Sequence, residues 1–499
     1  MRIVFVCTGN ASRSAAAEVV LRKMLADSGL RGVEVTSCGT GVPAGLEREA
    51  VMCRIAEEHG YEMGGEAVAM SAGMFADADL IVVMTSKHAG EIAPLLPEDF
   101  RGRVVRFCEY CFGEERDLLD PHWQSEFVYR TCFDAVERGC REMVRRLRLR
   151  DRAGGAIVGG AVGDALGYAV EFDRLTQIRK RYGKGGIKDY ELDPEGVAVF
   201  SDDTQMSLFT AEGLLRGENA GCSAPQEILP YITASYGDWY MTQGGTTKLA
   251  AGGWLLGEDR LWARRAPGTT CLGAMRSIAD GKMVKNYSKG CGGVMRVAPI
   301  GIYSAAHPGV LSAEEAGELA GLAAEITHKH PLSTYSSAAL AMIVAECMSR
   351  EKVDREALRG IVADVFEKLS SLHPGDRDLE ELYLLIVKAI ECAASDASDT
   401  DCIRSLGVGW VAEETLAIAV FSVMRHIDSF ADCMVSAVNH DGDSDSTGAV
   451  AGNIIGAIVG YESIPEKYRR GLELHDMLLS VADDLAGESP SEQIERRYR

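Results

Sequence analysis

The stretch Asn439 to Gly456, NHDGDSDSTGAVAGNIIG, limits what this chain can become more than any other. It places Asp441, Asp443 and Asp445 within five residues, with Ser444, Ser446 and Thr447 between and beside them, and an apolar, small-residue helical pattern follows at once. Carboxylates this close repel one another, so a fold that keeps them ionised needs a cation nearby. Asp, Ser and Thr oxygens suit hard ions such as Mg²⁺, Mn²⁺ or Ca²⁺ rather than Zn²⁺. The competing reading is an acidic, solvated turn in which Asp445 or Ser446 caps a helix. A second stretch weighs against it. Ser201-Asp202-Asp203-Thr204-Gln205 heads another helical pattern with the same hydroxyl and carboxylate composition. Capping accounts for one hydroxyl and one acid at each place, not for doubled acids at both. Two halves of one dinuclear metal site, set at helix ends, account for all of them.

Four pieces, GDALGYAVE (Gly163 to Glu171), SDDTQM (Ser201 to Met206), GCGGVMRVAPIG (Gly290 to Gly301) and GDSDSTGAVAG (Gly442 to Gly452), resemble the ADP-ribosylglycohydrolase family in content, order and spacing. The resemblance runs from about Gly154 to about Gly460. It implies two Mg²⁺ ions, with Mn²⁺ as a substitute, held by Ser201, Asp202, Asp203, Asp443, Asp445 and Ser446. It implies that Glu171 lies beside the metals. A general base is then expected among Asp202, Asp203 and Glu171. The loop Gly290, Cys291, Gly292, Gly293 would approach substrate, and His328, in a Thr-His motif, would contact ribose or diphosphate. Ser201 stands where the family more often has Thr, and Cys291 where it often has Asn. By helical spacing alone, Asp164 and Glu171 lie two turns apart, which expects both acids on one helix face.

The N-terminal part reads differently. Ile3 to Cys7 is a short apolar strand pattern, then Thr8, Gly9, Asn10, Ala11, Ser12, Arg13 and Ser14 form a tight loop before a helical stretch. A strand, loop and helix in this order aim backbone N–H groups and a helix N-terminus at an anion. Cys7 and Arg13 make a CX5R pattern: a thiolate to attack phosphorus and a guanidinium to grip its oxygens. The plain alternative is a buried Cys ending a strand. Val33 to Gly39, Leu80 to Met84 and Arg103 to Phe107 read as further strands with helices between, which predicts a doubly wound parallel four-stranded sheet. Asp120-Pro121 follows an acidic stretch, and a carboxylic acid on a loop can protonate a phosphate leaving group. Residues 1 to 147 together resemble the low-molecular-weight protein tyrosine phosphatases, arginine phosphatases and thiol-dependent arsenate reductases. That resemblance implies Cys7 as nucleophile, Arg13 as phosphate clamp and Asp120 as general acid, with Asn10 and Ser14 supporting the thiolate. Ser12 replaces the second Cys many relatives have, and Ala11 leaves the choice between phosphotyrosine and phosphoarginine open.

The net charge is −22, of which residues 1–150 contribute only about −4, so the body of the chain is strongly acidic and ill suited to nucleic acid. The cysteines are scattered, and Cys108 and Cys111 form a lone CxxC, so a reducing cytoplasm is expected. Neither a signal peptide nor a membrane span is expected. Val144 to Arg152, VRRLRLRDR, reads as a helix end at the junction. Beyond it helical periods dominate, which predicts an all-α multi-helix domain over 152–475 following a domain over 1–148, with a polar, fraying tail over 476–499. The expected activities are hydrolysis of an ADP-ribosylated protein or a small ADP-ribose conjugate, and dephosphorylation of a phosphoprotein. The rival readings are an ADP-ribose-binding module with an inert phosphatase fold, and an arsenate reductase joined to an ADP-ribose-conjugate hydrolase.

Overall fold

Strand β1 (Arg2–Cys7) lies between β2 (Glu34–Gly39) and β3 (Leu80–Val83), and β4 (Arg103–Arg106) pairs with β3; all pairings are parallel, in the order β2-β1-β3-β4. The computed structural model describes residues 1–499 and separates into two compact units, 1–148 and 149–499. In the first unit Ile3, Phe5 and Cys7 enter one apolar cluster while Val4 and Val6 enter another, so the sheet is covered on both faces. A strand buried on both sides needs an unbroken apolar run, which is why β1 reads as IVFVC. The neighbours of β1 switch sides at its carboxyl end, the crevice where open α/β sheets bind ligands.

The second unit is built of helices, and its extended pairings are the isolated bridges Ala198 to Leu472 and Gly290 to Val411. Two helices set its centre, the later part of Glu126–Tyr168 and the helix Ser444–Val459. They meet along glycines one turn apart. A Cβ on Gly159 would lie 2.5 Å from the Gly452 carbonyl oxygen, one on Gly163 1.9 Å from that of Gly448, and one on Gly167 2.1 Å from that of Ser444. Spacing of four keeps these residues on one stripe, so the two backbones touch and no side chain can stand between them.

Three expectations change. Residues 144–152 are helical throughout, not a helix end. The same helix stops at Tyr168, so Glu171 sits in the turn beyond it and does not share a helix face with Asp164. The segment after Glu473 does not fray. Helix His475–Leu485 buries Leu478, Val481, Ala482 and Leu485, and Tyr498 is buried with its hydroxyl donating to Asp484 at 2.6 Å. The polar composition misleads because its charges are paired: Asp484 also accepts from Arg497 at 2.7 Å, and buried Glu473 binds Arg260 and Arg265. No helix is long and apolar enough to cross a membrane.

Candidate functional site

In the helical unit the acids converge from two helix N-termini. Asp202 and Asp203 occupy the first turn of helix Asp202–Asn219, with Ser201 as its N-cap accepting from the Asp203 N–H at 3.2 Å. Asp443 is the N-cap of helix Ser444–Val459, with Asp445 and Ser446 in its first turn. The partial positive charge of both helix ends favours carboxylates there. Ser446 Oγ donates to Asp203 Oδ2 at 2.8 Å, so the two clusters share a direct hydrogen bond. Carboxylate oxygens of Glu171, Asp443 and Asp445 all lie within 4.8 Å of one another. Asp441, the third acid of the stretch, is spent elsewhere: it accepts the Leu175 N–H at 2.8 Å.

One acid that the sequence did not single out as a site residue organises the entry of the helix Asp202–Asn219. Asp164, fully buried, accepts the Ser201 N–H at 2.8 Å, the Thr204 N–H at 2.9 Å and the Thr204 hydroxyl at 2.5 Å. It stands between Gly163 and Gly167 in chain position, so the glycine contact that joins the two helices also delivers this carboxylate to the start of helix Asp202–Asn219.

The cluster is electrostatically incomplete. Burial, then the charge of Asp445, pushes the Asp164 carboxyl up to about 7. Burial, then Asp445 and Asp202, pushes Glu171 up to about 9. Asp202, Asp203 and Asp443 are driven well above the usual carboxylate range, in each case by burial first. Glu171 Oε2 is buried with no hydrogen-bond partner. Several buried oxygen donors that cannot all ionise together, one of them orphaned, are what hard divalent cations complete. The residues present fit such ions.

The loop Gly290–Gly293 flanks this cluster. Cys291 Sγ lies 2.9 Å from Asp443 Oδ2, and its N–H donates to the Trp410 carbonyl at 3.3 Å. A Cβ on Gly292 would lie 2.8 Å from His328 Cε1, so the imidazole packs directly under the loop. His328 is buried, and burial followed by the charge of Arg296 pushes its pKa down to about 3, which keeps it neutral. His330, not His328, caps the following helix, accepting the Leu332 N–H at 3.1 Å.

In the first unit Cys7 ends β1 at the crevice. Its sulfur accepts from the Asn10 N–H at 3.2 Å and the Ser14 hydroxyl at 3.0 Å, which places donors where a thiolate would carry charge. Asn10 has a left-handed backbone, φ 52°, held by its side chain: Oδ1 accepts from Val68 N at 2.8 Å and Nδ2 donates to Ser14 and Ser37. A side chain on Gly39 would strike the Thr8 carbonyl at 2.5 Å, so that glycine lets β2 end against the loop. Thr8 Oγ1 is 2.9 Å from His88 Nε2, and Thr85 holds the other ring nitrogen at 2.9 Å. Burial, then the Arg13 charge, lowers the His88 pKa to about 4. Arg13, buried at the start of its helix, pairs with the half-exposed Asp120 at 2.5 Å, which brings the acid to the loop that follows Cys7. Cys38, Cys108 and Cys111 are buried, and burial raises each thiol, Cys38 to about 12.

Comparison with known proteins finds a match for each of the two units. The model of the family described as ADP-ribosylglycohydrolase matches residues 145–495, and that of low molecular weight phosphotyrosine protein phosphatase matches residues 2–153. The ADP-ribosyl-(dinitrogen reductase) glycohydrolase of Rhodospirillum rubrum is 29% identical over 338 residues, covering 65% of this chain and 92% of its own. The low molecular weight protein-tyrosine-phosphatase Etp of Escherichia coli (strain K12) is 32% identical over 146 residues, 29% of this chain and 93% of its own. The protein-arginine-phosphatase of Bacillus subtilis (strain 168) is 31% identical over 153 residues, 30% of this chain and 99% of its own. The chain therefore belongs to the ADP-ribosylglycohydrolase family, and carries ahead of that domain a low molecular weight phosphatase domain.

Proposed function

We propose that the protein is a bifunctional hydrolase: residues 149–499 release ADP-ribose from a conjugate, with ADP-ribosylarginine as the first candidate, and residues 1–148 dephosphorylate a phosphoprotein at tyrosine or arginine. The observation that carries the first half is the meeting of the two acidic helix ends through Ser446 and Asp203 beside the orphaned Glu171. Two Mg²⁺ or Mn²⁺ ions would be held by Ser201, Asp202, Asp203, Asp443, Asp445 and Ser446, and when bound supply Lewis acidity and neutralise the cluster. The chain's own part is to hold the acids rigidly, through Asp164 and the glycine contact, and to leave one carboxylate free to take a proton from water. Glu171, off the helix with one oxygen uncommitted, suits that task once bound cations offset the charges of Asp445 and Asp202 that help keep it protonated. Water adds at the anomeric carbon, the bond to the conjugated nitrogen or oxygen breaks, the proton taken from water passes to that departing atom, and the carboxylates offset positive charge growing on the sugar.

For the phosphatase half, Cys7 Sγ attacks phosphorus, the bond to the leaving group breaks, and Asp120 gives the departing atom its proton. Water then cleaves the phosphocysteine, with Asp120 taking a proton back. A thiol of this kind suits a reducing, cytoplasmic setting. The buried, raised thiols of Cys38, Cys108 and Cys111 make a poor relay, which weighs against arsenate reduction.

One mass-spectrometric experiment tests the first half. Full-length protein is incubated with an arginine-ADP-ribosylated protein, with Mg²⁺ or with chelator. Metal-dependent appearance of free ADP-ribose is expected. Saturable binding of ADP-ribose without product under either condition would replace this reading with that of a binding module.

A further inference from the structure

The carboxylate of Glu49 gathers three donors that belong to three different pieces of the phosphatase unit. Ser12 Oγ, in the phosphate loop, donates to Oε2 at 2.6 Å. Tyr129 OH, on helix Glu126–Tyr168, donates to the same oxygen at 2.5 Å. His122 Nδ1, beyond the Asp120-Pro121 turn, lies 2.6 Å from Oε1. The backbone joins in, since Glu49 N donates to the Ala11 carbonyl at 3.0 Å. The backbone N–H of His122 in turn donates to Asp120 Oδ1 at 3.1 Å. A chain of contacts thus runs from the loop that holds phosphate, through one carboxylate, to the acid over it.

We propose that Glu49 is a positioning residue of the phosphatase reaction, which registers the Asp120 loop against the phosphate loop through His122 and Ser12. The proposal rests on the phosphatase reading above. Asp120 is half exposed and its loop residue Trp123 is 90% exposed, so the loop has little burial of its own to fix it. The Arg13 pair cannot serve during turnover, because the guanidinium is then engaged by phosphoryl oxygens. Two of the Glu49 partners, Tyr129 and His122, lie outside the phosphate loop, so these contacts do not compete with phosphate for their donors. Burial raises the Glu49 carboxyl, but the hydrogen bonds from Ser12, Tyr129 and His122 outweigh it and leave the group below the usual carboxylate range.

A residue that positions the general acid has a signature that a merely structural one lacks. Its loss matters most when the leaving group needs a proton most. The test measures kcat/KM of the full-length protein on phenyl phosphate and on p-nitrophenyl phosphate, with inorganic phosphate as competitive inhibitor. Glu49→Gln is expected to lower kcat/KM on phenyl phosphate by about a hundredfold and on p-nitrophenyl phosphate by less than about fivefold. Inhibition by phosphate should stay within about twofold, which reports an intact phosphate loop. His122→Phe, which keeps a ring beside Trp123 but loses the hydrogen bond, should reproduce the selective loss, and the double variant should lose no more than either single one. Equal losses on the two esters, no loss, or additive losses in the double variant would overturn the proposal. Failure of the underlying reading looks different: wild-type protein would not turn over either ester, or Cys7→Ser would retain activity.

Discussion

Ser446 Oγ donates to Asp203 Oδ2 at 2.8 Å across 243 positions of sequence. This bond joins two clusters that each look, in isolation, like a capped helix end. Around it the buried acids Asp202, Asp203, Asp443 and Glu171 are all raised by burial first, and the charge of Asp445 raises each of them further. Repulsion without compensation costs stability, and removal of one member relieves it. Asp203→Asn is therefore expected to abolish metal-dependent release of ADP-ribose, a fall of at least about a hundredfold, while raising the melting temperature in chelator. Calorimetry with chelator beside the turnover assay checks both. A lower melting temperature in the variant would mean the acids are already compensated.

The same argument predicts that cations stabilise the wild type. At a hundredfold excess over its dissociation constant a divalent ion adds about 2.7 kcal/mol. Titration of Mg²⁺ and Mn²⁺ into chelator-treated protein should raise the unfolding temperature, and Asp443→Ala should remove that rise. An equal rise in wild type and variant would place the ions elsewhere.

Gly163 and Gly360 separate close approach from mere helix propensity. A Cβ at Gly163 would lie 1.9 Å from the Gly448 carbonyl, whereas one at Gly360, exposed in helix Arg355–Leu372, meets nothing within 4 Å. Gly163→Ala should destabilise by about 3 kcal/mol or more and displace Asp164, with loss of glycohydrolase turnover. Gly360→Ala should stabilise by about 0.5–1 kcal/mol with turnover unchanged. Chemical denaturation of both variants decides it.

His88 makes the phosphatase unit sensitive to acid. Its folded pKa is about 4, below the ordinary 6.5, because burial and then Arg13 oppose its charge. Between those values the unfolded chain binds the more protons, so this contribution is full above 6.5 and is lost as pH falls toward 4. With allowance for solvent screening the loss between pH 7 and pH 5 is about 1 kcal/mol. The urea midpoint for loss of aryl phosphatase activity should fall over this range in wild type and fall less in His88→Gln.

Ser14 Oγ donates to Cys7 Sγ at 3.0 Å and takes a hydrogen bond from Asn10. Ser14→Ala removes a donor from the attacking sulfur, and kcat/KM on p-nitrophenyl phosphate should fall by about tenfold. Cys7→Ser should abolish turnover on the same ester. Single-turnover kinetics distinguish slower sulfur attack from slower hydrolysis of the phosphocysteine.

What the sequence by itself determined is local. Backbone pattern and chemistry lie together in CTGNASRS, SDDT and DSDST: an apolar strand buried on both faces must be followed by its loop, and acids at a helix start are readable as residues in a row. Tertiary structure alone decided which of these acids meet. Asp441 and Asp443 are two residues apart, yet one accepts the Leu175 N–H of another helix and the other joins the cluster, with the turn at Gly442, φ 145°, between them. Asp164 and Glu171 look like helical neighbours, yet the helix ends between them. Gly155, Gly159, Gly163 and Gly167 are legible as small residues, but not as a backbone contact, until the helix Ser444–Val459 lies against them. Glu49 reads as one more surface acid, and only the loop and helix folded around it collect its three donors. The polar C-terminal segment packs because its charges find partners far away in the chain, as Glu473 does with Arg260 and Arg265. Periodicity records what one element wants to bury. Pairing energy depends on distance between elements, and that distance is set when the chain folds.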